Sequence, residues 1–345
     1  MSDEPEVLFE QRGALGLITL NRPKALNALT HEMCVATKAQ LDAWARDKAI
    51  AVVAIRGAGE RAFCAGGDIR ALYESGKAKT AYALNFYRDE YILNATIKHF
   101  PKPYVAFLKG IVMGGGVGVS VHGSHRVADE TTVFAMPETG IGLFPDVGGS
   151  HFLPRCPGET GMYLGLTGAR LKTADCLYTG VATAFVLAAR AEAVIARLAD
   201  GEPPDVAIAA HASNAEDAPL AGQRALIDSI FSDSSIQEVL ASLYSDNSDW
   251  SRATAATLRT KSPTSLKLTF RQIREGALLD FDACLQMEYR MVNRVVSGHD
   301  FYEGVRAIII DKDNAPQWYP AKLSEVTDAD IDAYFAPLEG KELKL

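Results

Sequence analysis

Twice in this chain a continuous apolar run ends in glycine, AVVAIRG at 51–57 and YVAFLKG at 104–110. Such runs are what a strand buried on both faces requires. Each leads into a glycine-rich loop, AGERAFCAGGDI after the first and GGGVGVSVHG after the second. A helical stretch over roughly 82–98 lies between the two runs and stops at Pro101 and Pro103. Strand, glycine loop and helix in that order constrain the fold to α/β, with sites at the strand ends. Around this unit, VLFE and LGLITL read as a hairpin about Gly13. Thr30 is positioned to cap a helix that runs to about Asp47, with Glu32 in its first turn. Short strands follow near 126–135, a helix near 159–167, another from Thr173, and an Ala-rich helical stretch over 182–200. Residues 201–220 are rich in Ala, Pro and Asp and read as a boundary or surface loop. Beyond them the pattern is helical, with a capping box at Ser235 and Glu238 and Pro263 at a helix start.

The 345 residues can bury a large core, and 48% hydrophobic with 23% charged is ordinary globular composition. A net charge of −8 argues against nucleic acid as a partner, because phosphate contacts need clustered Lys and Arg. No apolar run approaches the length of a membrane span. The start, MSDEPEVLFE, is acidic and has neither a signal-peptide core nor an Arg-rich leader, so a cytoplasmic protein is expected. Five scattered cysteines without a CxxC pair fit a reducing compartment and no metal site. Cys64 lies beside a glycine pair but has no His near it in sequence, and reads as a small packing residue.

GxGxxG and GxxxxGK[ST] are both absent, which leaves a dinucleotide fingerprint and a P-loop unsupported. What remains is the stretch Gly110–Gly149. Gly114, Gly115 and Gly116 open it, and two carboxylates, Glu138 and Asp146, sit near its end among apolar residues and glycines. Glycine lets backbone approach a ligand, and carboxylates in apolar settings are candidates for catalysis.

The segments ITLNRPKALNAL, AFCAGGDI, GIVMGGGVG and FAMPETGIGLFPDVGG, in that order, resemble the crotonase (enoyl-CoA hydratase/isomerase) superfamily. MPETGIGLFPDVGGSHFLPR, LTGARLK, SPTSLK and DFYEGVRAIIIDKD are similar to its 3-hydroxyisobutyryl-CoA hydrolase branch. The resemblance runs from about Val7 to Pro320. It implies a crotonase-like spiral of ββα units over residues 1–200, followed by a helical C-terminal region over 201–345 that covers the site and supports a homo-oligomer. It also implies an acyl-CoA thioester substrate, and no cofactor beyond the coenzyme A the substrate carries.

Residue by residue, the resemblance gives the N–H groups of Gly67 and Gly115 to the thioester oxygen as an oxyanion hole. Glu138 and Asp146 become the catalytic carboxylates, and Glu90 a substrate contact. Arg22 and Lys24 become partners for the CoA phosphates, with backbone around Ala25, Ala65 and Ile69 near the adenine. One departure points to the reaction. Hydratases of the superfamily carry a glutamate three residues after the middle glycine, and here that residue is Gly118. Adding water to an alkene uses two flanking carboxylates, so thioester hydrolysis, a step of valine breakdown, is expected ahead of enoyl-CoA hydration or isomerisation. A non-catalytic or RNA-binding role on the same fold is opposed by the negative charge and the intact carboxylate pair.

Overall fold

The computed structural model describes residues 4–345. The chain forms two compact units that alternate along the sequence. One takes the chain up to Asp68, then Asp89–Ala135 and Arg170–Ala221; the other takes Ile69–Arg88, Met136–Ala169 and Gly222–Leu345.

The first unit holds every named strand. The hairpin forms as expected: β1 (Val7–Arg12) pairs antiparallel with β2 (Leu15–Leu20), Val7 opposite Leu20 and Arg12 opposite Leu15, with Gly13 at φ +54 in the turn. β3 is Val52–Gly57 and β4 is Ala62–Cys64; β5 is Tyr104–Leu108 and β6 is Ile111–Met113; β7 is His125–Ala128 and β8 is Val133–Ala135. Two-residue strands β9 (Leu171–Lys172) and β10 (Ala184–Phe185) complete the set. The larger sheet has the order β1-β2-β3-β5-β7-β10 and the smaller β4-β6-β8-β9. Three successive strand pairs, β3–β4, β5–β6 and β7–β8, therefore place one strand in each sheet, and helical segments follow each pair. That advance is the ββα spiral the resemblance implies. The pairings β2·β3, β3·β5 and β5·β7 are parallel, which explains why their strands are apolar on both faces.

Leu15, Leu17, Val52, Ala54, Val105, Phe107 and Val127 of the large sheet bury against Val194, Ile195 and Leu198 of the helix Ala191–Ala199 and against Ala207 and Ile208. The last two lie on a helix, Pro204–Ala209, inside the segment read from the sequence as a loop. Pro204 at its first position costs it nothing, and two apolar contacts suffice to fix six residues. The Ala-rich stretch 182–200 is likewise only partly helical: β10 and a 3-10 turn at Ala188–Arg190 precede the helix. A further helix, Ile69–Lys77, directly follows the AFCAGGD loop; it is short and amphipathic, with Leu72 and Ser75 buried.

The second unit is helical. Its central pair is Pro263–Gly276 and Phe281–Val295, each started by a side-chain cap: Ser262 accepts from the Ser265 N–H at 3.1 Å, and Asp280 from the Ala283 N–H at 2.8 Å. The box expected at Ser235 closes differently. Ser235 accepts from the Glu238 N–H, but the Glu238 carboxylate returns to the N–H of Ser234 at 3.0 Å. Among the described residues no helix is long and apolar enough to cross a membrane.

Candidate active site

In the sheet-containing unit, β4 and β6 are parallel neighbours. Their C-terminal ends therefore lie side by side, and the two glycine loops leave the sheet together. Leu29 pairs with both peptides flanking Gly67: its N–H donates to Gly66 O at 2.8 Å and its carbonyl accepts from Asp68 N at 2.9 Å. In such a bridge the N–H of Gly67 itself points to the opposite side. Gly66 at φ +120 and Gly114 at φ +48 turn the two loops through backbone that a side chain would strain. A β-carbon on Gly115 would stand 3.3 Å from the Gly67 nitrogen and run into Glu90 Oε1. Gly67, Gly115 and Glu90 are thus brought together. Glu90 is 2% exposed on the helix Tyr82–Lys98. Gly116 has another use, because its β-carbon would meet the carbonyl of Cys64. Gly118 sits in the short helical turn after it, with its N–H on Gly114 O. Burial pushes the Cys64 thiol up to about 12, which suits a packing residue and not a nucleophile.

The NRPKALNAL turn is organised by Asn27. Leu26 and Asn27 both adopt left-handed φ, and the buried Asn27 amide donates to Ala58 O and Ala62 O while accepting from the Arg22 N–H. The Ala65 N–H donates to Leu26 O at 3.0 Å, tying the turn to the AFCAGGD loop. Arg22 has a structural task the sequence did not reveal. Its guanidinium bonds Ala28 O at 2.7 Å, Asp68 at 2.9 Å and Glu6 at 3.0 Å. Lys24 and Ala25 stand exposed beside it. Ile69 begins a helix of the other unit.

In the helical unit, Glu138 opens a 3-10 turn, Glu138–Ile141, closed by Leu143 N–H on Glu138 O at 3.0 Å. Thr139 pins this turn through its hydroxyl on Leu166 O and its carbonyl under the Ser262 N–H. Gly142 and Gly304 have no room for a β-carbon, which would meet Asp300 and Ile141 respectively. The DFYEGVR segment therefore presses directly on the PETGIG turn. Glu138 is 4% exposed and its Oε2 has no hydrogen-bond partner. Burial raises its pKa well above the usual carboxylate range, and the charge of Asp146 adds to that. Half-buried Lys261 acts the other way on Glu138, while burial lowers its own pKa.

Asp146 is also 4% exposed. The turn it occupies is closed by its own carbonyl, which accepts from Gly149 N–H at 2.8 Å. The neighbouring N–H groups of Gly148 and Ser150 go instead to Glu288, each at 2.8 Å. Glu288 is 0% exposed; burial pushes it up to about 8, while its bonds to Ser150 and Gly148 pull the other way. Glu288 and Lys261 were not among the sequence candidates. For Glu288 a signal existed: Phe281, Cys284, Leu285, Met291, Val292 and Val295 form an apolar stripe, and Glu288 is the acid in its middle. No group of three or more His, Cys, Asp or Glu side chains able to hold a metal occurs among the described residues.

Comparison with known proteins agrees with this architecture. The family model for enoyl-CoA hydratase/isomerase matches residues 15–335. The chain is 50% identical to "3-hydroxyisobutyryl-CoA hydrolase, mitochondrial" of Danio rerio, over 99% of this chain and 92% of that protein. With the protein of the same name from Homo sapiens it shares 46%, over 98% and 90%. Among solved structures, a carnitinyl-CoA dehydratase from Mycobacterium thermoresistibile superposes with a TM-score of 0.94 at 44% identity, covering 99% of both chains. An enoyl-CoA hydratase from Rhodobacter sphaeroides gives 0.93 at 38%, covering 99% and 100%. The cytoplasmic location expected from the sequence is overturned, because the curated relatives are named as mitochondrial. That expectation rested on the lack of a leader in the first residues, and an absence at a chain end carries no address. The α/β spiral, the matched family model and the near full-length identities lead to one conclusion: the chain belongs to the enoyl-CoA hydratase/isomerase family.

Proposed function

We propose that the chain cleaves the thioester of a short-chain 3-hydroxyacyl-CoA, taking 3-hydroxyisobutyryl-CoA and water to 3-hydroxyisobutyrate and coenzyme A, a step of valine breakdown. The observation that carries this reading is the near full-length identity to relatives named for that hydrolysis. The chemistry of the residues supports it. Attack on a thioester carbonyl drives charge onto its oxygen, and pre-aimed N–H donors lower that barrier. In the proposal the N–H groups of Gly67 and Gly115 supply them. Glu138 either attacks the carbonyl to form a mixed anhydride or takes a proton from the attacking water. A buried carboxylate with a raised pKa is a stronger base than one in water, which suits both routes. Asp146 orients the 3-hydroxyl or the water, and Glu90 contacts the acyl group. The thiolate leaves with a proton as free coenzyme A.

Lys24 and the backbone of Ala25, Ala65 and Ile69 are proposed to hold the CoA moiety. Arg22, with its guanidinium committed to Asp68, Glu6 and Ala28, is proposed to shape that turn. No cofactor takes part beyond the CoA of the substrate. A spiral core to residue 200, a helical region from 201 covering the site, and assembly into a homo-oligomer belong to the same proposal.

Thiol release from 3-hydroxyisobutyryl-CoA tests the reading. Glu138→Ala is expected to lower it by about 100- to 10,000-fold, the range for removing a general base. Isobutyryl-CoA, which lacks the hydroxyl, is expected to react at least about 100-fold more slowly, because a site built for a hydroxyl leaves polar groups unpaired without it. Equal rates on the two thioesters would sink the assignment. Single-turnover hydrolysis in labelled water separates the two roles of Glu138: label in its side chain marks the anhydride.

A second reading, hydration of an enoyl-CoA, is favoured by the similarity to an enoyl-CoA hydratase and to a carnitinyl-CoA dehydratase among solved structures. Gly118, where a hydratase has its second glutamate, opposes it. Loss of enoyl absorbance without thiol release is the outcome that would select it.

A further inference from the structure

The loop that carries Asp146 is unusual in its backbone. Val147 adopts φ +51 and Gly148 φ +86, two left-handed residues in succession, and Val147 is fully buried. A β-branched residue rarely takes that conformation, and it persists only where the surroundings over-determine it. The surroundings here are two helices. From Phe281–Val295, the Glu288 carboxylate accepts the Gly148 N–H on Oε2 and the Ser150 N–H on Oε1, both at 2.8 Å. From Pro263–Gly276, the Gln272 amide donates to Pro145 O and, at 2.9 Å, to the Ser150 hydroxyl. Gly276 permits that helix to press on the loop, since a β-carbon there would meet Ser150 O. The anchored atoms belong to residues 145, 148 and 150, on both sides of Asp146. Successive Cα atoms are about 3.8 Å apart, so the backbone that carries the Asp146 carboxylate cannot shift far without breaking an anchor.

We propose that Glu288 is a positioning residue for catalysis: its carboxylate, assisted by Gln272, clamps the left-handed turn at Val147–Gly148 and thereby aims Asp146. The proposal rests on the reading of Asp146 as a group of the catalytic site. The ionised carboxylate suits the task because both of its oxygens accept, one for each N–H of the turn, so the clamp is complete only above the pH near 8 at which Glu288 gives up its proton. A glutamine of the same size presents one oxygen and one NH2, and the NH2 opposes an N–H.

The test is a double-mutant cycle read in kcat and KM for thiol release, using Glu288→Gln, Asp146→Asn and the pair. Glu288→Gln is expected to lower kcat by about 10- to 100-fold, the scale for misplacing a reacting group by an ångström, with KM within about threefold. In the Asp146→Asn background the same substitution is expected to cost less than about threefold, because the group it aims is already gone. Glu288→Asp, which keeps both acceptors on a shorter arm, is expected to recover part of the rate. Equal losses in both backgrounds would show a general structural role and overturn the proposal. So would an unchanged kcat in folded Glu288→Gln. Asp146→Asn alone at wild-type rate would instead overturn the reading of Asp146, and the proposal with it. Should Glu288→Gln not fold, Gln272→Leu enters the same cycle, with the same two outcomes deciding.

Discussion

At the residue scale, adjacent glycines are asked for different things. Gly115 faces Glu90 and Gly67, whereas Gly116 faces the Cys64 carbonyl. Alanine at the two positions should therefore separate catalysis from packing. Gly115→Ala keeps the backbone N–H but drives its β-carbon into Glu90, and by displacing that proposed oxyanion donor it is expected to cost up to about 100-fold in kcat/KM, with a modest drop in Tm. Gly116→Ala should reverse the balance, with a larger fall in Tm than in rate. Glu138 makes a second prediction. Its ionised form performs either proposed role, and its pKa lies well above the usual carboxylate range. Activity must then fall as pH drops through that raised pKa, at a higher pH than an ordinary carboxylate would give. Lys261 favours the ionised form, so Lys261→Met should move this acidic limb to still higher pH. A pH profile of kcat/KM for both proteins checks the direction.

At the element scale, capping shows what was legible and what was not. The Thr30 cap and the helix start at Pro263 could be read from the sequence because such signals are local, decided within four residues. The strands at 52–57 and 104–108 were equally plain, since burial on both faces leaves an unbroken apolar run. The glycine pair and both carboxylates stood out because their motifs are contiguous. The helices Ile69–Lys77 and Pro204–Ala209 were missed: the first is amphipathic but only nine residues long and merges with a glycine-rich loop, and the second is too short to set a period. Long-range partners were missed for a different reason. Arg22 meets Asp68 across 46 residues, and Glu288 meets Gly148 across 140. Nothing local to either residue records its partner. Ser262 combines both kinds of information: it caps its helix and donates to Asp300 at 2.6 Å, fully buried. Ser262→Ala should cost about 1–3 kcal/mol, the cap plus an acceptor left without its donor. Thr327→Ala, whose box is exposed, should cost about 1 kcal/mol or less. Urea unfolding of the two variants measures the difference.

At the scale of the whole molecule, buried titrating groups set how stability follows pH. Glu138 and Glu288 both have folded pKa values raised from 4.5, the latter to about 8. A group whose folded pKa is raised binds its proton more tightly in the native state. Its contribution is complete below the unfolded pKa and is lost as pH rises through the folded one. Glu288 therefore makes stability decline from about pH 5 toward pH 8, and Glu138 acts with the same sign. Five buried thiols act with the same sign at alkaline pH, four of them raised from 9.0 to about 12 and Cys34 raised well above 9.0. On the acid side, Glu10, Asp228 and Glu303 have lowered pKa values through Arg12, Arg224 and Arg306. Their contributions run the other way and vanish as pH falls through those lowered values, but they lie near the surface, where such pairs are worth little. The buried groups should win. Tm is expected to peak near about pH 5 and to fall continuously toward pH 9, with a steeper drop once the thiols begin to ionise in the unfolded chain. Glu288→Gln removes one of the two carboxylates and should flatten the slope between pH 5 and about 8, even if its Tm is lower throughout. Calorimetry of both proteins across that window decides it, and an unchanged slope would mean that Glu288 stays ionised in the folded protein.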